Sequence, residues 1–186
     1  MTGDDATLAV IQCLESRSVP YMVVGSLSSN YHGVARSTQD ADLVLELGSH
    51  SIVEITRALG PAFRLDPQIS FETVLGTSRH VLHIDEVPFM IELFRLSNDS
   101  HDQERFRRRL RVKLFDQDSF VPTAEDVIVM KLRWVVHGRR TKDVEDIRDV
   151  IAVQGDALDW GYIHRWCDQH GPRALLDEIR RSIPPL

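Results

Sequence analysis

The stretch VVGSLSSNYHGVARSTQDADLVLEL, Val23 to Leu47, sets the hardest condition on the fold of this chain. An apolar run ends at Gly25-Ser26, and the next apolar run carries Asp40 and Asp42 one residue apart. In a strand, residues i and i+2 face the same way and stand roughly 6.5 Å apart along the chain. The two aspartates therefore share one face of a strand whose apolar side chains must fill a core. Two neighbouring carboxylates repel, and burying them unpaired costs several kcal/mol. A divalent cation between them reverses that balance, because hard Mg²⁺ takes oxygen ligands and keeps waters or phosphate oxygens beside them. A third acid, Glu92 in FMIELF, lies in an equally apolar run. Three acids on two strands suit a two-metal site with ions about 3.5–4 Å apart, as used in phosphoryl or nucleotidyl transfer. Upstream, Gly25 allows close approach of backbone to a ligand, and Ser26 adds a hydroxyl.

The rest of the chain reads as alternating elements. Leu8, Val10, Ile11 and Leu14 predict a helix over 4–16, and PYMVVG a short buried strand. SLSSNYHG predicts a helix or turn stopped by Gly33, and DADLVLEL a strand. Ser51 with Glu54 is a capping-box start for SIVEITRALG. RHVLHI and PFMIELF flank DEVP as antiparallel neighbours, and SNDSHDQERFRRRL predicts a polar helix. RVKLF and SFV around DQD predict a second hairpin. Beyond Pro122 the period becomes helical, with Thr123 and Asp126 as an N-terminal signal. TKDVEDIRDVIAVQ follows, and shorter helices are predicted around WGYIHRWCDQH and PRALLDEIRRS. The expected organisation is a mixed α/β core over 1–121 and a helical lobe over 122–186.

Composition narrows the function classes. The chain of 186 residues is 42% hydrophobic and 27% charged with a net charge of −6, which argues against a general nucleic-acid coat. No apolar stretch approaches the roughly 20 residues that span a bilayer, and the first residues lack a basic start, so a cytoplasmic protein is expected. Cys13 and Cys167 fit reduced structural thiols. RFRRRLRVK holds six basic residues in nine and is read as a solvated helix face ahead of an electropositive groove. His80 and His83 fall on opposite faces of a strand, and His32 is expected to make a structural hydrogen bond.

The ordered string GSLSSNYHGVARSTQDADL resembles the nucleotidyltransferase superfamily that includes DNA polymerase beta. It is similar to a small bacterial branch related to AbiEii-type abortive-infection toxins and to minimal nucleotidyltransferases of toxin–antitoxin pairs. The glycine turn, H-G, R-x-T and D-x-D come in the order seen there, as does K-D-x-x-D within TAEDVIVMKLRWVVHGRRTKDVEDI. The resemblance covers about residues 20–150. It implies an α+β nucleotidyltransferase fold, a small mixed sheet flanked by helices. Gly25 and Ser26 would hold the triphosphate, and Asp40, Asp42 and Glu92 would be both catalytic acids and metal ligands. Arg36 and Thr38 would brace the loop before Asp40, and Lys131 would face the phosphates. Mg²⁺ or Mn²⁺ is the implied cofactor, a nucleoside triphosphate (ATP expected) the donor, and an RNA end, protein side chain or small molecule the acceptor. A partner protein of a toxin–antitoxin pair is also implied. The third acid is more often aspartate in that family, so Glu92 is a departure, and an inactive antitoxin-like member is the alternative. A D-x-D glycosyltransferase or phosphoesterase on another fold would need a longer chain or histidine ligands.

Overall fold

The computed structural model describes residues 1–138 and 141–183. Arg139 and Arg140, within the stretch TAEDVIVMKLRWVVHGRRTKDVEDI, and the last three positions of the expected helical lobe lie outside the described residues. The chain opens with α1 (Gly3–Ser16), whose Thr2 and Asp5 cap each other reciprocally. β1 (Tyr21–Val24), α2 (Gly25–His32), β2 (Asp40–Leu45) and α3 (Ile52–Leu59) follow. The capping box of α3 forms as its sequence predicts, Ser51 receiving Glu54 N–H and Glu54 receiving Ser51 N–H. Two short strands, β3 (Phe63–Leu65) and β4 (Ser70–Glu72), precede the long hairpin β5 (Thr77–Ile84) and β6 (Val87–Arg95). Sequence periodicity misses β3 and β4, because three residues are too few to display an alternation. Next come α4 (Ser100–Arg107) and a hairpin of β7 (Leu110–Leu114) and β8 (Gln117–Val121). Phe115 and Asp116 both take positive φ at its tip, the geometry a two-residue hairpin turn requires.

One six-stranded sheet carries the site. Its order is β1-β2-β6-β5-β3, with β4 also paired to β5. β1 runs antiparallel to β2, whereas β2 and β6 are parallel, with Asp42 opposite Glu92. The core behind this sheet buries Leu43, Leu45, Ile91 and Leu93 against Val10, Ile11 and Leu14 of α1. That packing forces the odd-numbered side chains of β2 inward and leaves Asp40 and Asp42 on the other face.

The C-terminal part is all helical: α5 (Ala124–Gly138), α6 (Thr141–Gln154), α7 (Trp160–His170) and α8 (Arg173–Arg181). Its buried apolar residues, Ala124 to Ile179, form a cluster separate from the one beneath the sheet. α2 bridges the two parts. Gly33 at its end approaches the α6 backbone so closely that a Cβ would meet Val150 N at 3.0 Å. Gln154 donates to the His32 carbonyl, and His32 Nε2 donates to Pro122 O at 2.7 Å. Burial pushes the His32 imidazole below its ordinary value, so the neutral ring makes the structural bond expected of it.

Candidate active site

All eight residues singled out from the sequence line one cleft of about 1030 Å³: Gly25, Ser26, Arg36, Thr38, Asp40, Asp42, Glu92 and Lys131. The turn between β1 and α2 builds its floor. Val24 pairs with Asp42, and Gly25 follows with φ +62, a conformation only glycine adopts without strain. The Asp42 carboxylate lies against this glycine so tightly that any Cβ there would collide with Oδ2. Gly25 is thus fixed twice, by its backbone angle and by the acid above it. Ser28 and Ser29 both donate to the Gly25 carbonyl, which anchors the first turn of α2.

Asp40 begins β2 and receives a 2.6 Å hydrogen bond from Thr38 Oγ1 on its Oδ1. Arg36 is held from both ends. Asn30 clamps its backbone, accepting from Arg36 N and donating to Arg36 O. Its guanidinium forks onto Asp146 at 2.8 and 2.9 Å and donates to Ser26 Oγ at 3.1 Å. Arg36 therefore braces the glycine turn itself, in addition to the loop before Asp40. Lys131 lines the cleft, but its ammonium is already engaged, 2.9 Å from Asp143 and 2.7 Å from Asp146. Burial works to raise the Asp146 carboxyl, yet hydrogen bonds from Arg36 and Lys131 outweigh it and hold the group below its usual range. The same carboxylate pushes the Arg36 guanidinium further up.

Glu92 stands beside Asp42 in register on the neighbouring strand. Its carboxylate is turned to Arg79, whose Nη1 donates to both oxygens at 3.1 and 3.2 Å, while Nη2 donates to Ser70 Oγ. Among the described residues, no group of three or more His, Cys, Asp or Glu side chains is gathered closely enough to hold a metal ion. The sheet thus aligns three acids, and Arg79 draws one of them aside. The donor set still fits a hard cation: two aspartates share one face, and the Asp42 carboxylate rests against a glycine turn with no Cβ to push it away. Asp40 and Asp42 would hold that cation, with Glu92 as a further oxygen donor once it leaves Arg79.

Arg79, Asn30 and Asp146 complete the machinery that sequence reading did not assign to roles. Asp146 sits in the K-D-x-x-D string, so its type was visible but its partners were not. Of the basic run 105–113, Arg105 alone lines the cleft. Arg105 is buried against Asp102, Arg108 lies over the Tyr162 ring, Arg109 over Phe106, and Arg111 and Lys113 share Asp118. His83 pairs with Asp66 at 2.9 Å, away from the acids.

Known structures with this architecture exist. The antibiotic-resistance factor ANT(2'')-Ia aligns with a TM-score of 0.64 over 96% of this chain and 96% of its own, at 13% identity. Its complex with adenylyl-2"-tobramycin gives 0.62 over 89% and 98%, at 12% identity. Lincomycin-bound LnuA, a lincosamide antibiotic adenylyltransferase, gives 0.53 over 80% and 96%, at 11% identity. A nucleotidyltransferase-like protein of Paracoccidioides brasiliensis gives 0.54 over 97% and 94%, at 15% identity. The fold is that of the nucleotidyltransferases. No family model matches the sequence, and no curated protein matches it. Among the described residues, no helix of this nucleotidyltransferase-fold chain is long and apolar enough to cross a membrane.

Proposed function

We propose that the chain is a metal-dependent nucleotidyltransferase that moves a nucleoside monophosphate from a nucleoside triphosphate, ATP by preference, to a hydroxyl acceptor. The observation that carries this reading is the seating of the Asp42 carboxylate directly over the Gly25 turn, with Asp40 on the same face. Backbone N–H groups at the start of α2 suit a triphosphate, and the neighbouring acids suit the divalent cation that accompanies it. When bound, Mg²⁺ or Mn²⁺ would neutralise charge on the transferring phosphoryl group. The chain's own residues hold and orient: Asp40 and Asp42 present oxygens, Arg36 fixes Ser26, and Asp146 fixes Arg36. The acceptor we favour is a small hydroxylated molecule, because the tobramycin- and lincomycin-associated neighbours match over most of their own length. RNA and protein acceptors are the competing outcomes. Within the superfamily, the ordered H-G, R-x-T, D-x-D and K-D-x-x-D string supports an AbiEii-type member, with a toxin–antitoxin partner as the corresponding context.

The test is equilibrium binding of Mg²⁺–ATP to the full chain by calorimetry. Wild type binds one nucleotide, and the Asp40→Ala/Asp42→Ala double variant loses affinity by about 100-fold or more, as expected when ligands to the cation are removed. Equal binding by both proteins removes the metal-site reading. A second reading is favoured by the Arg79–Glu92 pair: a member that binds nucleotide without transferring it and serves as an antitoxin. Tight Mg²⁺–ATP binding with no labelled nucleotide passed to small-molecule, RNA or protein fractions selects it.

A further inference from the structure

We propose that Arg79 is a latch on Glu92, competing with the divalent cation for its carboxylate and thereby setting how tightly the site takes metal before nucleotide arrives. The inference rests on the metal-site reading above and concerns a residue outside the sequence motifs.

The geometry is specific. Arg79 lies on β5 opposite Phe94, and Glu92 lies on β6 opposite Val81, so the two are diagonal neighbours on one sheet face. At that separation a long side chain can reach across the ladder. Arg79 uses one nitrogen for both Glu92 oxygens and the other for Ser70 Oγ on β4. Ser70 is also the register partner of Arg79, so the guanidinium is steadied by the strand on its far side. Glu92 stands beside Asp42 at its backbone, and its extra methylene relative to aspartate gives its carboxylate a swing. Its side chain is 18% exposed and that of Arg79 35%, so both face the cleft and not the core. A part-exposed ion pair of this kind is worth at most about 1 kcal/mol, which a divalent cation at the adjacent aspartates can outbid. A pair buried in the core would be locked; this one is poised to exchange.

Removing any cation from the cleft also raises metal affinity through simple electrostatics, so a control is needed. Arg95 lines the same cleft from β6, whereas the ion-pair partner of Glu92 is Arg79. The experiment is Mn²⁺ titration of the full chain without nucleotide, read by the electron paramagnetic resonance signal of free Mn²⁺. Arg79→Gln binds Mn²⁺ about tenfold more tightly than wild type, whereas Arg95→Gln gains about threefold or less. Arg79→Lys, which keeps the charge but loses the fork, falls between wild type and Arg79→Gln. In a Glu92→Gln background the Arg79→Gln gain shrinks to that of Arg95→Gln, the coupling a double-mutant cycle detects. A gain equal to that of Arg95→Gln, or one undiminished in the Glu92→Gln background, overturns the latch. Mn²⁺ binding that depends on Asp40 and Asp42 but ignores Arg79 sinks the latch and leaves the metal-site reading standing. No binding in any variant, or binding indifferent to the aspartates, sinks both. Circular dichroism melting accompanies each variant, and Arg79→Lys carries the test if Arg79→Gln does not fold.

Discussion

Two clusters, each centred on an aspartate of a C-terminal helix, behave as opposites. In the first, Asp126 of α5 accepts from His101, Tyr162 and Thr123, with Arg108 at 3.5 Å. The His101 and Asp126 side chains are both 0% exposed. In the second, Asp146 of α6 accepts from Arg36 and Lys131 on the wall of the cleft, where Arg36 is 30% exposed. The closed cluster joins α4, α5 and α7; its Arg108 is 33% exposed, but none of its named members lines the cleft. The open one ends on Ser26, at the glycine turn. Charge alone therefore does not mark a site; access does, together with a chain of contacts that reaches the reacting region.

The comparison breaks most visibly at Asp126. Asp126→Ala leaves His101, Tyr162 and Thr123 facing an apolar gap, at a cost of about 3–5 kcal/mol. For a chain of this size that lowers the melting temperature by roughly 10 °C, measured by circular dichroism. Below its transition the variant binds Mg²⁺–ATP within about twofold of wild type, because no member of the closed cluster reaches the cleft. Asp146→Ala inverts the pattern. Its stability loss is smaller, about 1–3 kcal/mol, since water can reach the freed Arg36. Its Mg²⁺–ATP affinity falls by about tenfold, because the guanidinium no longer fixes Ser26. If both variants lose stability and affinity in the same proportion, the two clusters are not distinct.

Acid gives the finest discrimination. Burial depresses the imidazole values of His32 and His101 below the ordinary 6.5. The folded state then binds fewer protons than the unfolded one, so stability declines as pH falls below about 6.5. Asp126 and Asp146 are also depressed, and their contributions persist above the ordinary carboxyl value of 3.8 and fade as pH falls through their folded values. The histidine window thus lies at the higher pH. His32→Gln keeps a donor for Pro122 O and flattens the stability slope between pH 6.5 and 5, by no more than about 1.4 kcal/mol per pH unit. An unchanged slope assigns the histidine window to the other depressed histidines, His80, His101, His164 and His170.

Local features were legible in the sequence because their causes are local. The capping box at Ser51, the helical period after Pro122 and the i, i+2 placement of Asp40 and Asp42 each need only a few neighbouring residues. Glu92 was conspicuous as a charge in an apolar strand, yet its partner was not, since Arg79 lies across a diagonal that depends on β5–β6 register. Arg36 meets Asp146 across 110 positions, and no spacing rule foretells that. The basic run 105–113 was read as a helix face running into a hairpin, but the acid or aromatic face that each member finds nearby depends on tertiary packing.

The tie between α2 and the C-terminal helices also has a consequence for synthesis. Asp146 and Gln154, which secure Arg36 and His32, leave the ribosome long after them, 110 and 122 positions later. At about 5–20 residues per second the gap is on the order of ten seconds. During that interval GSLSSNYH, rich in serine and poor in helix formers, has little of its own to keep it ordered. The nascent chain therefore lacks these ties to its glycine turn until positions 146 and 154 have emerged.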